Sequence, residues 1–390
     1  MEKLKYSPLT YRLAVGCFFF TQGLVFSSWA SRIADIKTAL KLSDADLGGI
    51  LFALPLGQML AMGISGHLVT RLSSSKTVTI GGILYPLGLI GLAMANSAAT
   101  LFAALMLYGM CANLQNISIN TQAVDVERIY GRPIMATFHG VWSLAGFVGG
   151  VISTFLVARH VTVMQHFIAM NVFTLIALAV LRNRVVPFDF KPEPNPADKG
   201  KTRGFLRPTP YIIFLGIISF GCMSCEGTMF DWSVIYFESI VKAPLDLTRL
   251  GFVCFMCTMA GGRFVADRFV MRFGAIRVLR ASGIVIMSGM LLAVLFPNIW
   301  TSAIGFLFVG AGVSSVVPTC YSLAGRSRRM SSSIALASVS TIGFFGFLMG
   351  PPLIGFIAEM SSLRISFAVM ACIGLLVTVM APKLRTHVEN

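Results

Sequence analysis

Residues 77–124 read TVTIGGILYPLGLIGLAMANSAATLFAALMLYGMCANLQNISINTQAV, 48 residues without one Asp, Glu, Lys or Arg. One bilayer span needs about 20 apolar residues. The window therefore holds two, and Asn96-Ser97 near its middle supplies the turn between them. Ala281 to Gly325 repeats the pattern over 45 residues, broken at Pro297-Asn298. Neither window shows the ten-residue apolar and polar alternation of a membrane β-strand, and a helix satisfies its own backbone in lipid. Each is predicted to be a helical hairpin. The whole chain is 56% hydrophobic and 12% charged, about half the charged share of an ordinary soluble domain, which excludes a water-soluble fold.

A formal charge of +15 would suit a nucleic-acid binder, but the basic residues stand where a membrane protein needs them. Counting loops from a cytoplasmic N-terminus puts 24 of the 31 Lys and Arg inside. This asymmetry predicts a multi-pass inner-membrane protein with both termini in the cytoplasm and no nucleic-acid partner. The cluster Arg272, Arg277 and Arg280 falls at helix ends, next to lipid headgroups. The first apolar stretch, Leu13 to Ser31, is too long for a signal-peptide core and no small-residue cleavage pattern follows it, so it reads as the first span.

Spans are predicted to begin near Arg12, Asp46, Thr77, Ala99, Pro133, Val161, Pro210, Thr248, Ala275, Asn298, Ser331 and Leu363, giving an all-α membrane protein of twelve helices. The Pro- and Lys-rich stretch 183–208 reads as a cytoplasmic linker between an N-terminal six-helix bundle, 1–182, and a C-terminal one, 209–390. The two halves match at an offset of 201 to 204 residues. Gln22-Gly23 answers Glu226-Gly227, Trp29 answers Trp232, Leu47-Gly48 answers Leu250-Gly251, and Arg71 answers Arg272. Such a parallel repeat, about an axis normal to the membrane, belongs to a transporter architecture.

Specific strings resemble the major facilitator superfamily, and within it a bacterial subgroup that includes YbjJ-like and MosC-like proteins. They are WASRI (29–33), VDVERIYGRP (124–133), FHGVWSLAG (138–146), EGTMFDW (226–232), GGRFVADRFVMRFG (261–274) and GPPLIGF (350–356). The fifth is also similar to a loop of the fucose-proton symporter group. The resemblance implies alternating access and, often, proton coupling to a small polar or sugar-like solute. It also implies a cytoplasmic gate, carried onto Arg71, Glu127, Arg128, Arg263, Asp267 and Arg272. In GHLVTRLSSSK (66–76), Thr70 stands where the superfamily places an Asp.

Ionisable residues deep in a span are costly and are usually functional. Glu226, about 16 residues into helix 7, is expected in the outer half of the membrane, opposite the neutral Gln22 of the repeat, as the group that exchanges the coupling proton; the alternative is a structural Glu satisfied by helix hydroxyls. Arg32 and Asp231 fall near the outer ends of helices 1 and 7 and are expected to pair as an outer gate, or else to stand as two independently solvated charges. On helix 4, Asn113, Asn116 and Asn120 share one face at spacings of three and four, and Gln115 and Gln122 add a second stripe. These amides suit solute hydroxyls, although amides also join helices in bilayers. His139 and Trp142 share a face of helix 5, where the ring pair suits a sugar face or a proton relay, and Gln22 and Tyr321 complete the candidate solute contacts. Trp29 and Trp232 read as interfacial belt residues.

The pairs Cys222/Cys225 and Cys254/Cys257 lie inside predicted helices and read as small packing residues rather than a metal site, since thiolates are expensive in an apolar span. No nucleotide-binding loop or nucleophile motif points to an enzyme, and no cofactor is expected. The leading expectation is proton-coupled uptake of a small polar solute by a monomer in the lipid bilayer. The alternatives are a metabolite or drug efflux antiporter and, last, a transporter-like membrane receptor.

Overall fold

The two charge-free windows form the hairpins their sequences demand. In the computed structural model, which describes residues 5–131, 134–187, 209–325, 327, 330 and 332–384, the first window runs through helices Ser74–Ala93 and Ala98–Tyr130. Ser97 caps the second of these, its hydroxyl accepting from the Thr100 amide. The second window likewise forms Ala275–Leu295 and Ile299–Gly325.

The complete order is α1 (Pro8–Ala30), α2 (Ile33–Leu40), α3 (Asp44–Leu51), α4 (Ala53–Leu72), α5 (Ser74–Ala93), α6 (Ala98–Tyr130), α7 (Met135–Ala158), α8 (Val163–Leu181), α9 (Pro210–Ser239), α10 (Leu250–Phe273), α11 (Ala275–Leu295), α12 (Ile299–Gly325), α13 (Ser332–Met360) and α14 (Leu363–Met380). Twelve stretches among the described residues are long and apolar enough to cross a membrane, with α1 and α2 forming one and α3 and α4 another. Ser and Thr residues stand at several helix starts, with Thr209 capping α9 just before Pro210. Large apolar side chains are exposed along the outer faces, among them Leu13, Ile64, Phe155, Phe264 and Phe356, as lipid contact requires.

The chain divides into two compact units. The first contains Met1–Phe190 together with Pro244–Arg249, and the second contains Lys191–Ala243 and Leu250–Asn390. Within the first, α4 and α6 approach until backbones touch: a Cβ at Gly57 would strike the Met106 carbonyl, and one at Gly109 would strike that of Leu54. Such contact between small residues is how helices associate where lipid removes the hydrophobic drive. Within the second, Gly289 of α11 and Gly305 of α12 meet in the same manner. Of the stretch expected to be linker, Val185 and Val186 are buried, and Gln122 of α6 both donates to and accepts from the Val186 backbone at 2.9 and 2.8 Å. Residues 188–208, like the chain ends, lie outside the described residues. Trp29 and Trp232 are not belt residues: both are essentially fully buried inside their helices' packing, 1% and 0% exposed.

Candidate functional site

In the second unit, Glu226 lies just past the middle of α9 and is 6% exposed. Its Oε1 accepts from Arg263 Nη2 at 3.1 Å. Arg263 is near the middle of the 24-residue α10, so it is not at a cytoplasmic helix end as expected. Two helices that cross the membrane side by side bring the two charges together at mid-span. The partner of Glu226 is therefore a guanidinium and not the helix hydroxyls of the structural alternative. Tyr321 of α12 lies within electrostatic reach of Glu226 and beside Ser340 of α13. The two cysteines preceding Glu226 on α9 are packed against neighbours, with Cys222 Sγ 3.7 Å from the Val313 carbonyl and Cys225 Sγ 3.6 Å from that of Met370. Asp231, five residues on, is half-buried, and no ion pair reaches it among the described residues.

The first unit holds a different charge cluster. The helix begun by α1 breaks at Ser31 and Arg32 before α2 resumes it, which swings Arg32 inward until it is 2% exposed. Its Nε donates to His166 Nδ1 at 3.1 Å, its Nη2 donates to the Val161 carbonyl at 2.9 Å, and its Nη1 lies 3.6 Å from Asp35. An imidazole that accepts at Nδ1 carries its proton on Nε2, so His166 is neutral here. Asp35 is shared with a second arginine: Arg249, also 2% exposed, pairs with its other oxygen, donates to the Ser31 carbonyl at 3.3 Å and to Thr248 Oγ1 at 2.6 Å. Through these contacts Arg249, with the rest of Pro244–Arg249, packs as part of the first unit. Arg32 is thus held by Asp35 and His166, not by Asp231. Sequence reasoning passed over Asp35, His166 and Arg249. The spacing of Arg32 and Asp35, three residues apart on a helix, was the available signal for the first.

The amide residues separate into accessible and interior groups. Asn116 is exposed and Asn120 half-buried, and Asn120 Nδ2 donates to the Asn116 carbonyl at 2.8 Å along the same face. Asn113 is 9% exposed, with its Oδ1 unpartnered. Gln22 does not stand in open space. It lines a polar nook of about 10 Å³ with Thr21, Tyr85, Gln115 and Thr174, room for about one water and too little for a solute. The Oε1 atoms of Gln22 and Gln115 are both buried and unpartnered there. His139 is exposed and Trp142 half-buried on α7, and both rings meet α1, edge-on to Phe19 at 5.4 Å and tilted against Phe26 at 5.6 Å.

Of the residues expected at a cytoplasmic gate, Arg71, Arg128, Asp267 and Arg272 are exposed toward the ends of α4, α6 and α10. Glu127 has a local task. Its Oε2 accepts from the backbone N–H groups of Ile134 and Met135 at 2.7 and 2.8 Å, closing the start of α7 with a negative charge.

The chain matches the Major Facilitator Superfamily profile over residues 13–243 and 241–389. It is 31% identical over 94% of its length to a Yersinia pestis protein described as an uncharacterised MFS-type transporter, of which the match covers 93%. It is 28% identical over 93% of its length to the membrane protein MosC of Rhizobium meliloti, of which 88% is covered. A solved structure of a D-xylose-proton symporter superposes with a TM-score of 0.75 at 14% identity, covering 97% of this chain and 98% of that one.

Proposed function

The chain belongs to the Major Facilitator Superfamily, a family of membrane transporters and not of enzymes, and we propose that it couples a proton to the uptake of a small polar or sugar-like solute by alternating access. The observation that carries this reading is the ion pair between Glu226 and Arg263 at mid-span. Charges at that depth are expensive and are kept where they do work. As a pair the two are net neutral. A proton on Glu226 cancels its hold on Arg263, and the guanidinium then turns its five donors to solute oxygens. Solute binding and protonation thereby favour each other, which is the linkage a symporter needs. Tyr321 of α12, close enough to feel the charge of Glu226, is the hydroxyl assigned to the same solute in this reading. Within the first unit, the exposed His139 and Asn116 and the half-buried Trp142 offer a ring face and an amide of their own. The polar character of these groups favours a hydroxyl-rich solute over a cationic drug. The similarity to a D-xylose-proton symporter supports the fold of such a carrier.

The Asp35–Arg249 pair takes the place of the expected Arg32–Asp231 gate in this proposal, with Arg32 and His166 as its fixed backing.

A thermal-shift screen of purified protein against sugars, polyols, amino sugars and cationic drugs identifies the solute, since a bound solute stabilises the fold by mass action. In proteoliposomes with an imposed proton gradient, Glu226→Gln then abolishes uphill accumulation of that solute and leaves solute exchange largely intact. A Glu226→Gln protein that still concentrates solute overturns the coupling role.

A further inference from the structure

The second unit carries a pair of adjoining hollows that the transport site does not use. The larger, about 740 Å³, is an apolar groove between α10, α11 and α12, floored by small residues such as Gly261, Gly262 and Ala311 and walled by Val265, Phe269 and Val285. A second hollow of about 540 Å³ shares Phe273 and Arg277 with it and is formed by Gly274, Ala275 and Ile276 at the start of α11, with Tyr211 and Leu323. The chemistry changes from one to the other. The groove is lined mainly by apolar side chains, with Thr258, Ser282, Ser314 and Ser315 among them, whereas the second hollow is formed around the exposed Arg277 and the first turn of a helix.

That turn has no side-chain cap and no acidic residue, because Gly274, at φ +83°, occupies the capping position. Uncapped N–H groups at a helix start bind anions, and Arg277 in the same turn adds a full positive charge. Arg272 and Arg280, both exposed, flank it in sequence, and no carboxylate lines either hollow. An anion bound there has its neighbours chosen for it: positive charge on one side and an apolar groove on the other.

We infer that the joined hollows bind one anionic phospholipid, its phosphate seated on the start of α11 and Arg277 and one acyl chain lying in the groove between α10, α11 and α12. Charge complementarity selects the headgroup and the groove's apolar lining selects the chain. The site lies in the leaflet where α10 ends and α11 begins. It is separate from Glu226, so the lipid acts on the second unit's helix packing and not on the solute.

The test uses the full-length protein, purified in mild detergent and titrated with phosphatidylglycerol or phosphatidylcholine, with bound lipid counted by native mass spectrometry. Phosphatidylglycerol is expected to bind about fivefold more tightly, the effect of one basic residue near an anionic headgroup. Arg277→Gln is expected to bring that preference to near unity. Gly261→Phe is expected to weaken both lipids. A Cβ at Gly261 meets nothing within 4 Å, so that substitution fills the groove without a backbone clash. An unchanged thermal midpoint in lipid-free detergent confirms that both variants fold. An Arg277→Gln protein with undiminished phosphatidylglycerol preference overturns the inference, as does a Gly261→Phe protein that binds both lipids like the unmodified chain. Full displacement of the lipid by inorganic phosphate also overturns it, since it reduces the site to a free-anion site.

Discussion

Gln22 on α1 and Glu226 on α9 occupy matching positions of the internal repeat, and their surroundings could hardly differ more. Gln22 sits in a nook for about one water, beside another amide and three hydroxyl-bearing side chains. Glu226 sits against a guanidinium. At the repeat offset, Arg263 corresponds to the stretch Met59-Leu60-Ala61-Met62 of α4, where no residue is charged. The difference is therefore a matched pair of residues: an acid without its cation, or a cation without its acid, would leave an uncompensated charge in a low-dielectric span. In the first unit the charges lie elsewhere, at the break between α1 and α2.

The sharpest way to break this comparison is to exchange the two residues. Gln22→Glu combined with Glu226→Gln keeps the composition of the protein and moves the acid to the unit that has no matching cation. The expected outcome is complete loss of gradient-driven accumulation, with no recovery over Glu226→Gln alone. Recovery of uphill transport would mean that the two halves are chemically interchangeable.

A stability measurement sharpens it next. Arg263→Met alone leaves Glu226 buried without its partner and should cost about 3–5 kcal/mol, whereas Glu226→Gln with Arg263→Met should regain most of that loss. The readout is denaturant unfolding in detergent micelles. Equal losses in the single and double variants would show that the pair contributes packing rather than charge compensation.

The smallest effect is expected in the first unit. Asp35 is more exposed than either arginine it serves, with 24% of its side chain accessible, so water compensates part of its loss. Asp35→Asn should lower stability by about 1.5 kcal/mol, the low end for a hydrogen bond to a charged group. Transport should fall several-fold, and the charge exchange Asp35→Arg with Arg249→Asp should restore part of it. A double variant no better than the single ones removes the pair from the gating proposal.

Much of this architecture was legible in the chain itself. Spans announce themselves because lipid demands about 20 uncharged residues at a time, and helix starts predicted at Pro210, Ala275 and Leu363 are the ones observed. Glu226 stood out because an acid within an apolar run has few explanations. Its partner did not, because the string around Arg263 and Asp267 resembles a loop, and only the start of α10 at Leu250 shows how far into the membrane Arg263 lies. Arg249 was invisible for a different reason. Nothing local says that a residue between the seventh and eighth spans binds a carbonyl and a carboxylate 218 and 214 positions earlier. Pairings at such separation belong to tertiary structure, and side-chain patterns at helical spacing carry no information about them. Glu127 illustrates a second limit: the family motif singles it out, but nothing in the local pattern says that its carboxylate accepts from the start of the next helix.

The six residues Pro244–Arg249 carry one more implication. They are encoded after the ninth helix yet complete the first unit. A gene divided in the stretch 188–208 would yield an amino-terminal fragment in which Asp35 and the Ser31 carbonyl have lost their donor. The two members of a tandem repeat are separable in principle; here the amino-terminal member takes contacts from a segment supplied from beyond the division, so a fragment ending there is expected to be less stable than the same helices in the intact chain.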